Sequence, residues 1–280
     1  MRTIEATRLG NLIEALCTEV STALPADVVA ALETSREEER SPLGRRALDM
    51  ILENAVQARD LGLPICQDTG LFTIYISLGR DTVIAGDLTH EASAAVARAT
   101  ARAALRSSIV ADPIDGRVNT GDNTPPLIEV ELGEGEDTTL GVLAKGGGSE
   151  MASRSAMLPR GAGWEGVRDY VLSVVSEVGA RSCPPLVLGL GIGGSFDRAP
   201  AMAKRSLLAP LDVPAREAAT RARERELIDA VNKLGIGPGA MGGTFTCMGA
   251  RITTASCHIA NLPVAVSVNC HALRRKVAIV

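Results

Sequence analysis

Aromatic side chains are almost missing from this chain: one Trp, two Tyr and three Phe among 280 residues. Any core must therefore be filled by Ala, Val, Leu and Ile, and a hydrophobic content of 46% is ample for one. No unbroken apolar run reaches the length a membrane helix needs, so no membrane span is expected. Glu5 and Glu14 interrupt the N-terminus early and no cleavable apolar leader is evident. Basic residues, 29 against 33 acidic, are scattered rather than clustered, which argues against a nucleic-acid surface. Six cysteines are too few for a disulfide scaffold. With no export signal, the thiols are expected to be reduced and the chain cytoplasmic. No Cys-x-x-Cys pair occurs, and the spacing of Cys247, Cys257, His258, Cys270 and His271 fits no zinc finger or ribbon. No internal repeat or low-complexity linker is present, so residues 1–280 are expected to form a single domain.

The pattern of what remains is mixed. Residues 1–60 read as helices, with Ile4, Leu9, Leu12, Ile13 and Leu16 on one stripe. The charge run Arg36–Arg40 reads as a solvated helix end. Further helices are expected over 43–61, 91–107, 164–178, 199–208 and 215–234. Strands are expected over 71–78, 186–190, 244–254 and 263–269. Two more, 127–132 and 138–144, read as a pair joined by the Gly-rich 133–137. Strands and helices do not alternate strictly, which favours a mixed α/β (α+β) fold: a helical N-terminal part packed on mixed sheets.

Three cysteines stand where a strand would meet a loop. Cys66 opens Cys66-Gln67-Asp68-Thr69-Gly70, Cys183 opens Cys183-Pro184-Pro185, and Cys270 closes a Val-rich run. Three thiolates at one point can hold three irons of a cubane cluster and leave the fourth open to substrate. Taken singly, a free cysteine is as readily a small buried hydrophobe, the simplest reading of Cys17, Cys247 and Cys257. Three glycine clusters, 145–150, 189–194 and 235–243, either turn the chain or offer backbone N–H groups to an anion. The second matches Gly-x-Gly-x-x-Gly between an expected strand and helix, as in a nicotinamide-dependent oxidoreductase, but lacks the acidic residue such a fold needs. Asp68 is a candidate for proton transfer or for a substrate hydroxyl, or an Asx turn. Arg106 is a candidate carboxylate clamp, or a surface arginine. His258 is a proton carrier or a packed histidine, and His90 only a helix start. The polar run 117–126 orders a ligand or simply turns.

Cys66-Gln67-Asp68-Thr69-Gly70, Val118-Asn119-Thr120-Gly121, Lys145-Gly146-Gly147-Gly148-Ser149, Cys183-Pro184-Pro185 and the 235–275 region resemble, in that order, the iron–sulfur hydro-lyases: the class I fumarases and L-tartrate dehydratases. The resemblance implies an α-type catalytic domain and a [4Fe-4S] cluster held by Cys66, Cys183 and Cys270, with one iron free of cysteine. It implies that Gln67, Asp68, Arg106 and the Gly146, Gly147 and Gly148 loop bind a small dicarboxylate, and that Asp68 and His258 are catalytic. The Lys145–Glu150 loop is more similar to fumarases, so fumarate and (S)-malate are the expected substrates, with L-tartrate the alternative. The chain ends soon after Arg274-Arg275-Lys276. The resemblance therefore implies a separate β-type subunit, expected to be obligate for activity and to form an α2β2 complex. That partner is expected to provide a cation for the second carboxylate, because Arg106 cannot bind both ends.

Overall fold

The computed structural model describes residues 1–280. In chain order the elements are β1 (Arg2–Glu5), α1 (Ala6–Thr22), α2 (Ala26–Glu38), α3 (Pro42–Leu61), β2 (Leu71–Gly79), β3 (Thr82–Ala85) and α4 (Leu88–Arg102). They continue with β4 (Leu127–Gly133), β5 (Thr139–Lys145), α5 (Gly147–Ala152), β6 (Arg154–Pro159), α6 (Gly163–Val178), β7 (Leu186–Gly194) and α7 (Arg198–Ser206). The last are α8 (Ala218–Asn232), β8 (Cys247–Cys257), β9 (Asn261–Asn269) and β10 (Arg274–Ile279). The fold is mixed α/β, as the pattern predicts. The chain gathers into two compact units, one of residues 1–25, 54–147 and 274–280, the other of 26–53 and 148–273. Both are discontinuous, so no linker in the sequence marks a boundary.

In the first unit a four-stranded sheet runs β10-β5-β2-β4, beside a parallel β1–β3 pair. Its core is aliphatic: Leu9, Ile13 and Leu16 of α1 and the alanines of α4 close over Phe72, Ile74 and Val142. By length and composition alone, 6–38 is apolar enough to cross a membrane. The helix instead breaks before Pro25, and α1, 17 residues long, turns its apolar stripe into this core. In the second unit Ser41 Oγ accepts from Gly44 N at 3.2 Å and Pro42 opens α3, a favoured arrangement for a helix start. Asp87 caps α4 by accepting from His90 N at 2.9 Å.

The expected β4–β5 pair does not form. Both strands exist, but β2 lies between them, parallel to β4 and antiparallel to β5. β2 is buried along most of its length and takes the centre, while the half-exposed β4 takes the edge. The glycine-rich 133–137 connection passes over the end of β2, where Arg80 N donates to Gly133 O and Asp81 N to Gly135 O.

In the second unit the sheet order is β6-β9-β7-β8. Leu186, Leu188 and Leu190 of β7 face the core formed with α6 and α8. The intervening glycines face α7. A Cβ on Gly189 would lie 2.1 Å from Ala203 O and one on Gly191 2.0 Å from Ala199 O. The Gly-x-Gly-x-x-Gly text is thus the inside of a strand over which a helix passes at backbone contact. It is not a phosphate loop, and the nicotinamide reading loses its only support.

This close approach predicts that Gly191→Ala destabilises the chain by about 1–3 kcal/mol or more through overpacking. Gly161→Ala, with nothing within 4 Å of the added carbon, is the neutral control. Denaturant unfolding compares them, and equal midpoints would contradict the packing argument.

Candidate active site

The Cys66 segment enters β2 under tight restraint. Ile65 N donates to Ser21 O at 2.9 Å and Asn54 Nδ2 to Ile65 O at 3.0 Å, which fixes the backbone before Cys66. Two residues on, Asp68 Oδ1 accepts from Gly70 N at 2.9 Å and Oδ2 from Gly147 N at 2.7 Å. Gly146 must lack a side chain here, since its Cβ would lie 2.8 Å from Asp68 Oδ2. The glycine loop therefore gives one of its N–H groups to Asp68.

Arg106 lies four residues past the end of α4, in the loop that follows rather than in the helix expected to run to 107. Its carbonyl accepts from Thr69 Oγ1 at 2.7 Å and Asn123 Nδ2 at 3.1 Å. The polar 117–126 run folds back to deliver Asn123, and Asn119 Nδ2 donates to Ser107 O at 2.9 Å. Its polar residues serve to hold Arg106. The Arg106 side chain is exposed, and with Cys66, Gln67, Leu63, Pro64 and Ala104 it lines a cavity of about 370 Å³. Arg274, which the sequence presents only as part of a basic tail, opens β10 and is 3% exposed. Its Nε has no hydrogen-bond partner.

In the second unit, antiparallel pairing of β7 with β9 sets Val187 against Asn269, so Cys183 and Cys270 share one end of the sheet. His271 joins them: its backbone N–H donates to Cys183 O at 3.2 Å and its Nδ1 lies 2.9 Å from the same carbonyl. Nδ1 therefore carries the proton in that contact. Burial holds the His271 ring below its usual pKa despite this bond. Cys270 N donates to Ser149 Oγ at 3.3 Å, so the serine of the Lys145–Ser149 motif anchors this cysteine. Cys257 and His258 stand at the other end, beside Gly194. At about 3.3 Å per residue, the length of β7 separates His258 from Cys183 and Cys270. The structure does not bring His258 to them, and His271 is the histidine beside them.

The chain just past the third glycine cluster binds an anion, the anion is internal, and Gly243 leaves room for it. Glu39 is fully buried, against the expectation of a solvated charge run, though its neighbours in 36–40 are exposed. Its carboxylate accepts from Arg40 N, Ser41 N, Thr244 N and Phe245 N at 2.8–3.0 Å. Burial alone would raise its pKa, but these donors outweigh it and hold the carboxyl below its ordinary value. The loop so fixed reaches the cysteine: Gly237 N donates to Thr246 Oγ1 at 3.1 Å and Gly239 N to Pro184 O at 2.8 Å.

None of the six cysteines is in a disulfide. Cys17 and Cys247 are buried, and burial pushes the Cys247 thiol up to about 12 and that of Cys17 higher still. Burial favours the protonated thiol at both. Cys66 and Cys270 are half-buried and Cys183 is exposed. No three His, Cys, Asp or Glu groups stand close enough for a single metal ion. A cubane spreads its cysteine sulfurs over separate corners, and three accessible soft thiols are the donors it takes.

An accessible thiol, a fixed carboxylate and an arginine on a mixed α/β frame are what comparison with known proteins places among the hydro-lyases. The chain belongs to the family described as Fumarate hydratase (Fumerase), whose model matches residues 10–279 and whose members generally depend on iron–sulfur chemistry. A Methanocaldococcus jannaschii chain provisionally named L(+)-tartrate dehydratase subunit alpha is 34% identical over 277 residues, 96% of each chain. The L(+)-tartrate dehydratase subunit alpha of Escherichia coli K12 is 32% identical over 272 residues, 96% of this chain and 89% of the relative. That of Shigella sonnei matches to the same extent.

Glu39→Gln is predicted to cost about 1–3 kcal/mol at pH 7, because an amide cannot accept from every N–H the carboxylate holds. The folded pKa lies below the unfolded one, so this stabilisation is complete above the unfolded value and lost as pH falls through the folded one. Urea unfolding should show the gap between wild type and variant closing on acidification. A gap constant down to pH 3 would contradict the assignment.

Proposed function

We propose that the chain is the α subunit of an iron–sulfur hydro-lyase that interconverts fumarate and (S)-malate. The observation that carries this reading is the single cavity lined by Cys66, Gln67 and Arg106, with Asp68 next in the chain and fixed by two backbone N–H groups. Cys66, Cys183 and Cys270 are the proposed ligands of a [4Fe-4S] cluster, supported by their accessibility and by the family's general dependence on iron–sulfur chemistry. When bound, such a cluster supplies a Lewis-acidic iron that eases departure or delivery of hydroxide.

The protein groups do the rest. Arg106 binds a substrate carboxylate through its guanidinium fork. Gln67 offers its amide to the substrate. Asp68, held in place by Gly70 and Gly147, takes a proton from the adding water in hydration and returns it to the departing hydroxyl in dehydration, and the proton on the adjacent carbon is exchanged with a group that we assign to the β-type partner. His258 receives no role, given its distance from Cys183 and Cys270 along β7. The α-subunit names of the relatives support a β-type partner, which we place in a two-fold α2β2 assembly. The likeness of the Lys145–Glu150 loop to fumarases favours malate. The names of the relatives favour L-tartrate, the second reading.

Anaerobic protein co-produced with a β-type chain should hold about four irons per α chain and convert malate to fumarate without nicotinamide. Cys66→Ser, Cys183→Ser and Cys270→Ser should each lose iron and turnover, and Cys247→Ser should keep both. Iron retained in Cys270→Ser but lost in Cys257→Ser would overturn the ligand set. A higher kcat/KM on L-tartrate than on malate would replace the first substrate by the second.

A further inference from the structure

Cys183 is held in a conformation that its residue type avoids. Its φ is +50° and its ψ +66°, the left-handed region, which few residues with a side chain enter apart from asparagine and aspartate. Such a conformation persists only where the surroundings over-determine it. Here the restraints can be named, and two of them converge on one atom, the Cys183 carbonyl oxygen. The His271 backbone N–H donates to it at 3.2 Å, and His271 Nδ1 lies 2.9 Å from it. A carbonyl only accepts, so the ring proton in that contact sits on Nδ1. Two donors of one residue thus hold one carbonyl, and that residue follows Cys270 directly in the chain. On the far side, Gly239 N donates to Pro184 O at 2.8 Å.

Cys270 is anchored in turn. Its N–H donates to Ser149 Oγ at 3.3 Å, and Val268 N donates to Ser153 Oγ at 3.1 Å, so the α5 segment holds the end of β9. Asn269 Nδ2 donates to Cys270 O at 2.9 Å. These bonds use backbone groups and neighbouring side chains, and they leave the Cys183 side chain exposed and Cys270 half-buried.

We propose that His271 is a positioning residue, which clasps the Cys183 carbonyl to the Cys270 loop and so presents the two thiols as a pair before any iron arrives. The proposal rests on the iron–sulfur reading and deepens it. The ring acts through its Nδ1–H, by direction rather than by bulk. Without the ring only the longer backbone bond remains, and Cys183 relaxes towards the right-handed or extended regions that suit a side chain. That relaxation turns the Cα–Cβ bond of Cys183, and its thiol moves relative to Cys270.

The test uses the full chain co-produced with its β-type partner, with iron removed by a chelator, so that the thiols are read without a cluster. A short bis-maleimide joins thiols that stand together, and mass spectrometry of the digest gives the fraction of Cys183 joined to Cys270. A single maleimide gives the reactivity of each thiol alone, which should not change. His271→Leu, which keeps an apolar body and loses the N–H, should lower the joined fraction about fivefold, the population change that one net hydrogen bond supports. His271→Asn, which sets an amide N–H near the place of Nδ1 and loses most of the ring, should stay within twofold of wild type. A residue that merely packs would give the reverse order. Equal joined fractions in wild type and His271→Leu, or a larger loss in His271→Asn than in His271→Leu, overturn the proposal. Should His271→Leu fail to fold, the wild-type chain decides. It has three histidines, so NMR of the iron-free chain labelled at histidine reads the tautomer of each, with His271→Asn identifying the signal. A proton on His271 Nδ1 supports the proposal, and one on Nε2 alone overturns it. Wild-type protein that takes up about four irons per α chain but joins no Cys183 to Cys270 removes this inference alone. Wild-type protein that takes up no iron removes the iron–sulfur reading and the inference with it.

Discussion

The hydrogen bond from Gly147 N to Asp68 Oδ2, 2.7 Å long, is where the chemistry of the first unit is set. It closes the mouth of the β2–β5 pair, whose register places Leu71 against Lys145. Both flanking glycines follow from it. Gly70 has φ near +75° and a Cβ there would lie 2.3 Å from Lys145 O. Gly146 must admit the carboxylate itself. The two motifs that look independent in the sequence are therefore halves of one contact. The glycines of the second motif are bound to the aspartate of the first by shape, before any ligand is considered.

The same logic shows what each glycine run is spent on. Runs of glycine expose N–H groups, and the sequence shows three of them. One is spent on helix packing at Gly189 and Gly191, and one encloses the carboxylate of Glu39. In the remaining one, Gly147 serves Asp68. Counting glycines cannot distinguish these cases. Asking where each N–H finds its partner can.

Much was legible in the sequence because periodicity and turn chemistry are local. The helices at 43–61 and 164–178 and the strands at 71–78 and 263–269 lie close to α3, α6, β2 and β9. Strand order was not legible, because pairing is decided by burial across the whole sheet: β2 separates β4 from β5, and β7 separates β8 from β9. Short strands such as β1, β3 and β6 carry too few residues for a period to show, and β10 was hidden by its charged start. At the site, Cys66, Gln67 and Arg106 were legible as motif residues and share one cavity. Glu39 and Arg274 were not. Each is a charged residue within a charged run, and a composition-based reading sends such runs to solvent. Only tertiary contacts reveal which member of the run turns inward.

Topology also decides which cysteines share a place. β7 runs antiparallel to β9, so the residue just before the one and the residue just after the other must meet at the same end of the sheet. Cys183 and Cys270 occupy those two positions. β8 runs parallel to β7, which sends its last residue, Cys257, to the opposite end and leaves its first, Cys247, at the near end. Geometry alone would admit Cys247 as a rival to Cys270. Burial distinguishes the two: Cys247 is wholly enclosed, and its thiol donates to Gly249 O at 3.2 Å. Cys270, one residue past the end of β9, escapes that enclosure and keeps access to its surroundings. Two cysteines at the same end of one sheet thus differ in access to their surroundings, which a sequence motif does not record.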